Sequence, residues 1–354
     1  MRERRLRIVA AMSGGVDSST VAALLVEQGH EVIGVHMKLH DVEAQGPRPG
    51  HCCGYDDALD ARRVADALQI PFYVMDLRKA FKTAVMDYFS KAYLEGRTPN
   101  PCVPCNGVLK FDVLLKRARA LGAQALATGH YARILPSGGL RVAIDRDKDQ
   151  TYFLFPVHPD VLHQVLFPLG ALTKAEVRDH AHRLGVLTAD KPESQEICFI
   201  PDDDHTRFVR EQHPTAPGAG EIVDESGEVL GRHDGYWRFT VGQRRGLGVA
   251  AGYPLYVLEV DPISRQVTVG PPERLHHQGL LASGMNWFRQ PGESEPLFAR
   301  IRHRGALLPC TIHGEDPVRV RFRAPAKAVA PGQAVVFYTG DEVLGGGWIQ
   351  ESVP

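Results

Sequence analysis

The sequence has no run of 18 apolar residues, which excludes a membrane-spanning helix. Its six cysteines are too thinly spread over 354 residues for a disulfide framework. The basic start MRERRLRIVAAM runs into SGGVDSS and an amphipathic stretch rather than a small-residue cleavage site, so a secretory signal is not expected. A cytoplasmic, reducing setting follows, in which each thiol must be explained by metal binding, catalysis or burial. Charge of one sign is also missing: the net charge is -1. Any nucleic acid would have to be held by a local basic patch. There is no internal repeat and no low-complexity tract. Neither G-x-G-x-x-G nor a phosphate loop ending in Lys-Ser/Thr occurs.

What is present is a change of texture along the chain. Leu6–Ala10, Glu31–Met37, Phe72–Asp76 and Ala125–Ala127 read as strands. Between them, Ser18–Gln28, Asp57–Leu68 and a stretch from about Gly107 to Leu121 read as helices. That alternation predicts an α/β fold with a doubly wound, Rossmann-like parallel sheet. Thr173-Lys-Ala-Glu176 is a capping-box pattern opening a further helix that stops at Gly185. After a Pro/Gly-rich stretch at 213–220 the runs become short, strand-like and separated by turns. The expected division is a catalytic domain over 1–205, a small β-rich central domain over 206–275 and a C-terminal β-barrel over 276–354.

AMSGGVDSS lies between the first strand and the first helix. Gly14 and Gly15 allow backbone N–H groups to approach an anion, Ser13, Ser18 and Ser19 add hydroxyls, and the helix end adds partial positive charge. Ser13, Met37 and Gly129 fall at strand ends, where ligands of such sheets bind. SGGVDS resembles the signature of the PP-loop nucleotide-hydrolysing superfamily. Its members cleave ATP between the α and β phosphates and transfer AMP to an oxygen. Asp17 would then support the magnesium–pyrophosphate end.

The cysteines admit several readings. Cys52 and Cys53 with Cys102 and Cys105 supply enough thiols for zinc, although adjacent cysteines make poor paired ligands. Alternatively, Cys105 precedes Asn106, read as the N-cap of a helix carrying Lys110, a position that lowers a thiol pKa. Cys198, in ESQEICFI, is a second thiol, and Cys310 reads as core. Adenylation together with reactive thiols suggests thiolation of a nucleobase.

At this point the chain resembles the bacterial tRNA-specific 2-thiouridylases nearly end to end. The matching stretches are AMSGGVDSS, CGYDDALDARRVADALQIPFYVMD, GRTPNPCVPCN, ATGHYAR, KDQTYFL, ESQEICFI, FTVGQRRGLG, APGQAVVFY and LGGG. The resemblance implies ATP-dependent formation of 2-thiouridine at the wobble position of tRNAs for Lys, Glu and Gln. It implies ATP and Mg2+, a sulfur-donor protein as partner and no metal centre. Ala11, Met12, Ser13, Gly14, Gly15, Val16, Asp17, Ser18, Met37 and Gly129 match ATP-binding positions. Cys198 matches the persulfide carrier and Cys105 the nucleophile that works with it. The persulfide attacks C2 directly, with a Cys105–Cys198 disulfide forming, or Cys105 liberates hydrogen sulfide; sequence does not choose. Asn100, Pro101, Cys102, His130, Lys148, Asp149, Gln150, Arg302, His303 and Gln333 match tRNA-contacting positions. Some members carry an acid–base Asp where this chain has Cys102, and Glu193 replaces the usual Asp before Ser-Gln. Arg319, Arg321 and Arg323 share one strand face, by default a solvated one. Two rival readings are a metabolite-amidating PP-loop synthetase, which leaves the thiols idle, and a zinc-stapled RNA-binding module, which leaves the loop idle.

Overall fold

The computed structural model describes residues 5–41, 55–192, 197–200, 202–216 and 218–354. It divides into two compact units. Cys52, Cys53 and Glu193 lie outside the described residues.

The first unit is built on a five-stranded sheet, β1 (Arg7–Ala11), β2 (Glu31–Lys38), β3 (Phe72–Asp76), β4 (Ala125–Ala127) and β7 (Val165–Leu166), in the order β3-β2-β1-β4-β7. All four pairings are parallel. Ile8, Val9 and Ala10 on the central strand are fully buried, as expected of a strand covered on both faces. Helix α1 (Val16–Glu27) is apolar around most of its girth because the core encloses it, with Val21, Ala22 and Leu25 packed against Ile8 and Val32. Helix α2 (Tyr55–Ala67) contributes Ala61, Val64 and Ala65 to the same core. A small hairpin, β5 (Ala132–Ile134) and β6 (Leu140–Val142), follows β4, and Glu342 and Val343 pair with it. The capping box forms as expected, with Thr173 and Glu176 bonding reciprocally at the start of the helix Lys174–Arg183. Gly185 takes φ +64° just beyond it.

The second unit holds two sheets. Strands β8 (Gly220–Val223), β9 (Val229–His233), β10 (Tyr256–Asp261) and β11 (Gln266–Gly270) make a four-stranded sheet in the order β10-β11-β8-β9. The others are β12 (His276–Trp287), β13 (Phe298–Arg300), β14 (Leu308–His313), β15 (Val318–Lys327), β16 (Ala334–Thr339) and β17 (Glu342–Val353). They run β12-β15-β14-β13-β16-β17, and a β12–β17 pairing closes the barrel. Val320, Phe322, Phe337 and Leu344 fill it, as does Cys310, only 4% exposed. Along β15, Val318, Val320 and Phe322 point inward and Arg319, Arg321 and Arg323 outward, the period of two that the sequence predicts. Helices Tyr88–Leu94 and His205–Gln212 pack on each other here through Phe89 and Phe208.

Candidate active site

β1 delivers the chain to Met12, whose N–H still donates to Val35 O at 2.8 Å. The loop then closes on its own serines. Ser13 N–H donates to Ser18 Oγ at 3.0 Å, the two hydroxyls lie 3.1 Å apart, and Ser18 Oγ reaches Gly15 O at 3.2 Å. Gly14 sits at φ +81°, and a Cβ there would stand 2.2 Å from the Asp57 carbonyl oxygen. Only glycine fits both constraints. Gly15 begins α1 without any side-chain cap, which leaves the first-turn N–H groups to an external acceptor.

Gly129, two residues beyond β4, has the backbone of Asp17 and Ser18 within 3.1–3.2 Å of where its Cβ would be. The absence of a side chain lets this segment lie against the first turn of α1. From β1 the chain passes to β2 on one side and β4 on the other, so the loop occupies the switch point of the sheet. Met37 lies on β2, beyond the Ala11–Val35 pair that ends β1. Ser13, Met37 and Gly129 thus lie at or just beyond the carboxyl ends of three neighbouring strands, as the sequence reading has them.

Lysine-centred ion pairs and a buried imidazole brace the loop. Asp17 Oδ1 accepts from Lys174 Nζ at 2.7 Å and from Tyr131 O–H at 2.9 Å. Lys191 Nζ reaches Gly14 O at 3.2 Å, Asp57 Oδ1 at 2.6 Å and Asp60 Oδ2 at 2.7 Å. His36, 2% exposed, holds Met12 O through Nδ1 at 2.9 Å, and burial keeps its pKa below the usual imidazole range. Lys174 and Lys191 were missed by the sequence reading. A signal existed for Lys174: a lysine in the first turn of a helix opposes the helix dipole and needs a reason.

The cysteine segment differs from expectation. Helical structure begins at Cys102, not after Asn106: Cys102–Pro104, Cys105–Leu114 and Leu115–Ala120 run on as one helix. Pro104 is tolerated because a first-turn residue has no intrahelical acceptor for its missing N–H. Asn106 is therefore no N-cap; it is buried and donates from Nδ2 to Phe153 O at 3.2 Å. Cys105 stands a full turn inside the helix, and burial pushes its thiol pKa up, with the charge of Lys110 opposing. The exposed Cys102 is the residue at the helix start. From Cys105 to Leu114 the winding is π-helical, the wider form whose hydrogen bonds span five residues instead of four. Cys105 is in no disulfide. Cys198, half buried, follows a segment outside the described residues, and its neighbour Phe199 packs edge-on against Phe81 with centroids 5.6 Å apart.

Family models match almost the whole chain: a tRNA methyl transferase HUP domain over 6–202, a tRNA methyl transferase PRC-barrel domain over 206–271 and an aminomethyltransferase beta-barrel domain over 277–349. A Geobacter metallireducens protein named tRNA-specific 2-thiouridylase MnmA is 51% identical over 99% of this chain and 98% of its own. A protein of the same name from Geotalea uraniireducens is 50% identical over 99% and 96%. The chain belongs to the tRNA-specific 2-thiouridylase family. A solved 4-thiouridine synthetase–RNA complex with bound ATP aligns loosely, with TM-score 0.36 and 16% identity over 60% of this chain and 51% of that one.

The remaining positions picked out by family resemblance fall into distinct settings. In the first unit, Asp149 is buried, accepting from Ala143 N–H at 3.1 Å and Thr151 O–H at 2.8 Å, so it is not part of a solvated turn. Gln150 brackets Tyr131, accepting from its N–H and donating to its carbonyl, each at 3.0 Å. Lys148 lies half buried on the same turn. His130 is 8% exposed and bonds Thr128 Oγ1 at 2.7 Å and Lys110 Nζ at 3.2 Å. In the second unit, Gln333 Nε2 donates to Thr98 O at 3.1 Å, which ties it to the segment carrying Asn100 and the buried Pro101. Arg302 is exposed and donates to Lys327 O at 2.9 Å, with His303 half buried beside it.

Proposed function

We propose that the protein thiolates C2 of the wobble uridine in tRNAs for Lys, Glu and Gln, at the expense of ATP. The observation that carries this reading is the uncapped phosphate loop at the sheet's switch point, in a unit that also holds Cys105 and Cys198. Ala11 to Ser18, Met37 and Gly129 receive the nucleotide. The uridine C2 oxygen attacks the α-phosphorus and pyrophosphate leaves, which makes C2 an electrophile with AMP as its leaving group. The outer sulfur of a Cys198 persulfide, loaded by a sulfur-donor protein, attacks C2. The Cys105 thiolate then attacks Cys198 Sγ, the sulfur stays on C2, AMP departs, and a Cys105–Cys198 disulfide remains for an external dithiol to reduce. The alternative, in which Cys105 first liberates hydrogen sulfide, uses the same atoms. Asn100, Pro101 and Cys102 meet the base; His130, Lys148, Asp149, Gln150, Arg302, His303 and Gln333 serve the tRNA. A flipped anticodon nucleotide supplies the access such chemistry needs.

Magnesium is ordinarily shared between nucleotide phosphates and one or two carboxylates, so a protein cage of three ligands is not required. Asp17 Oδ1 is engaged by Lys174 and Tyr131, and among the described residues no group of three or more His, Cys, Asp or Glu could hold a metal. The ion is proposed to arrive with the triphosphate. Among the described residues no helix is long and apolar enough to cross a membrane, and we place the enzyme in the cytoplasm with its tRNA.

The matching family models are described by methyl transfer, and the relatives by thiolation. A loop shaped for nucleotide phosphates suits the second; methyl transfer from a methyl donor has no need of it. The test is an assay with ATP, magnesium, a sulfur donor and unmodified tRNA, read by nucleoside mass spectrometry. Expected are 2-thiouridine, AMP and pyrophosphate; a methylated uridine, or no tRNA-dependent AMP, overturns the reading.

A further inference from the structure

Lys110 is a half-buried ammonium for which no carboxylate partner occurs among the described residues. Its Nζ rests instead on His130 Nε2 at 3.2 Å. Burial, then the charge of Lys110, holds the His130 pKa well below the usual imidazole range, so the ring is neutral. Nε2 therefore accepts from the ammonium, and Nδ1–H donates to Thr128 Oγ1 at 2.7 Å. Phe111 and Phe167 pack on the imidazole at 5.8 and 5.9 Å, which fixes it. This arrangement positions the lysine without cancelling its charge.

A shielded, uncompensated cation is costly unless an anion forms beside it. In an α-helix, five residues would carry Lys110 about 140° round from Cys105. The π-helical winding of Cys105–Leu114, whose bonds span five residues, reduces that offset and turns the two positions toward one side. We propose that Lys110, held by His130, is the positioning residue that stabilises the thiolate of Cys105, and that the π-helical turn is the device that aligns them. Burial alone pushes the Cys105 thiol up, and Lys110 is the charge that pulls it back. Other ionisable groups nearby are committed elsewhere: Asp112 pairs with Lys116 at 2.7 Å, and Asp149 accepts from Ala143 and Thr151.

The inference rests on the proposed role of Cys105 as nucleophile, but its test does not require thiolation. Iodoacetamide alkylation of the full-length protein would be followed against pH, with Cys105 and Cys198 peptides resolved by mass spectrometry. For Lys110→Met the Cys105 midpoint should rise by about one pH unit, an approximately tenfold slower reaction below it. Lys110→Arg should restore most of the wild-type profile, and Cys198 should not move. Thermal melts check folding; should Lys110→Met fail to fold, Lys110→Gln carries the same expectation. An unchanged Cys105 midpoint in a folded neutral variant overturns the proposal, as does an equal shift at Cys198. Wild-type protein that makes no 2-thiouridine yet shows the Lys110-dependent midpoint would overturn the functional reading and leave this one standing.

Discussion

The phosphate loop and the cysteine helix solve opposite problems in the same unit. The loop must leave N–H groups unsatisfied for a ligand, and it does so with glycines, self-bonded serines and an uncapped helix start. On the proposed reading the cysteine helix must keep a thiol shielded yet ionisable, and a distorted turn and a lysine lodged on His130 are the means. In the loop, function comes from what is withheld: side chains and caps. In the helix it comes from a charge that is supplied and deliberately left uncompensated. Each is braced by one buried imidazole, His36 under the loop and His130 beside the helix.

The comparison breaks most sharply on the thiols. Cys105→Ser and Cys198→Ser should each abolish 2-thiouridine while nucleotide and tRNA binding survive, because neither side chain contributes to the loop. Digests of tRNA analysed by mass spectrometry, beside equilibrium binding of ATP, would check this. Normal 2-thiouridine from the Cys198 variant would sink the relay.

Next in size is the loop's backbone. Gly14→Ala places a Cβ 2.2 Å from the Asp57 carbonyl at φ +81°, and backbone on both sides must move. The φ alone costs about 1–2 kcal/mol, and with the clash a loss of at least about 3 kcal/mol is expected together with loss of ATP binding. Gly15→Ala meets only Ser13 Oγ at 3.6 Å and should fold normally. Urea denaturation and nucleotide titration of the pair would separate them; equal behaviour would mean the loop is not held as described.

A smaller effect joins the two regions. His36 and His130 both have pKa values depressed by burial, so both are neutral when folded and bind a proton when unfolded below about pH 6.5. The stability they contribute is present above that pH and is lost as pH falls. Each should add at most about 1.4 kcal/mol per pH unit to the slope of stability below pH 6.5. His130→Asn should flatten the slope, measured as the urea midpoint from neutral to mildly acidic pH.

The loop was more legible than the helix for a physical reason. Its function is local: glycine spacing, hydroxyls and position between a strand and a helix are all properties of a contiguous stretch. The sheet was legible likewise, since β3 and β4 fall where their β-rich runs predict. The cysteine helix depends on residues far apart, with Lys110 meaningful only once Thr128 and His130 arrive beside it. Asn106 reads as the N-cap, yet Pro104 is compatible with a first turn, and the helix starts earlier, at Cys102. That earlier start exchanges the environments assigned to the two cysteines. Lys174 and Lys191 escaped because their partners lie 157 and more than 130 positions away.

The exchange makes Cys102 the finest test. It is the exposed residue at the helix start, where a thiolate would be favoured by the helix end, whereas Cys105 is shielded and relies on Lys110. If burial beside a fixed charge is what selects the nucleophile, Cys102→Ser should be milder than Cys105→Ser and leave measurable 2-thiouridine formation even though Cys102 is proposed to meet the base. Cys102→Asp should do no worse, since the family resemblance implies that an acid is accepted at this position. Initial rates under single-turnover conditions would measure both. If Cys102→Ser were as damaging as Cys105→Ser, exposure at a helix start would outrank the lysine, and the assignment of the two thiols would have to be reversed.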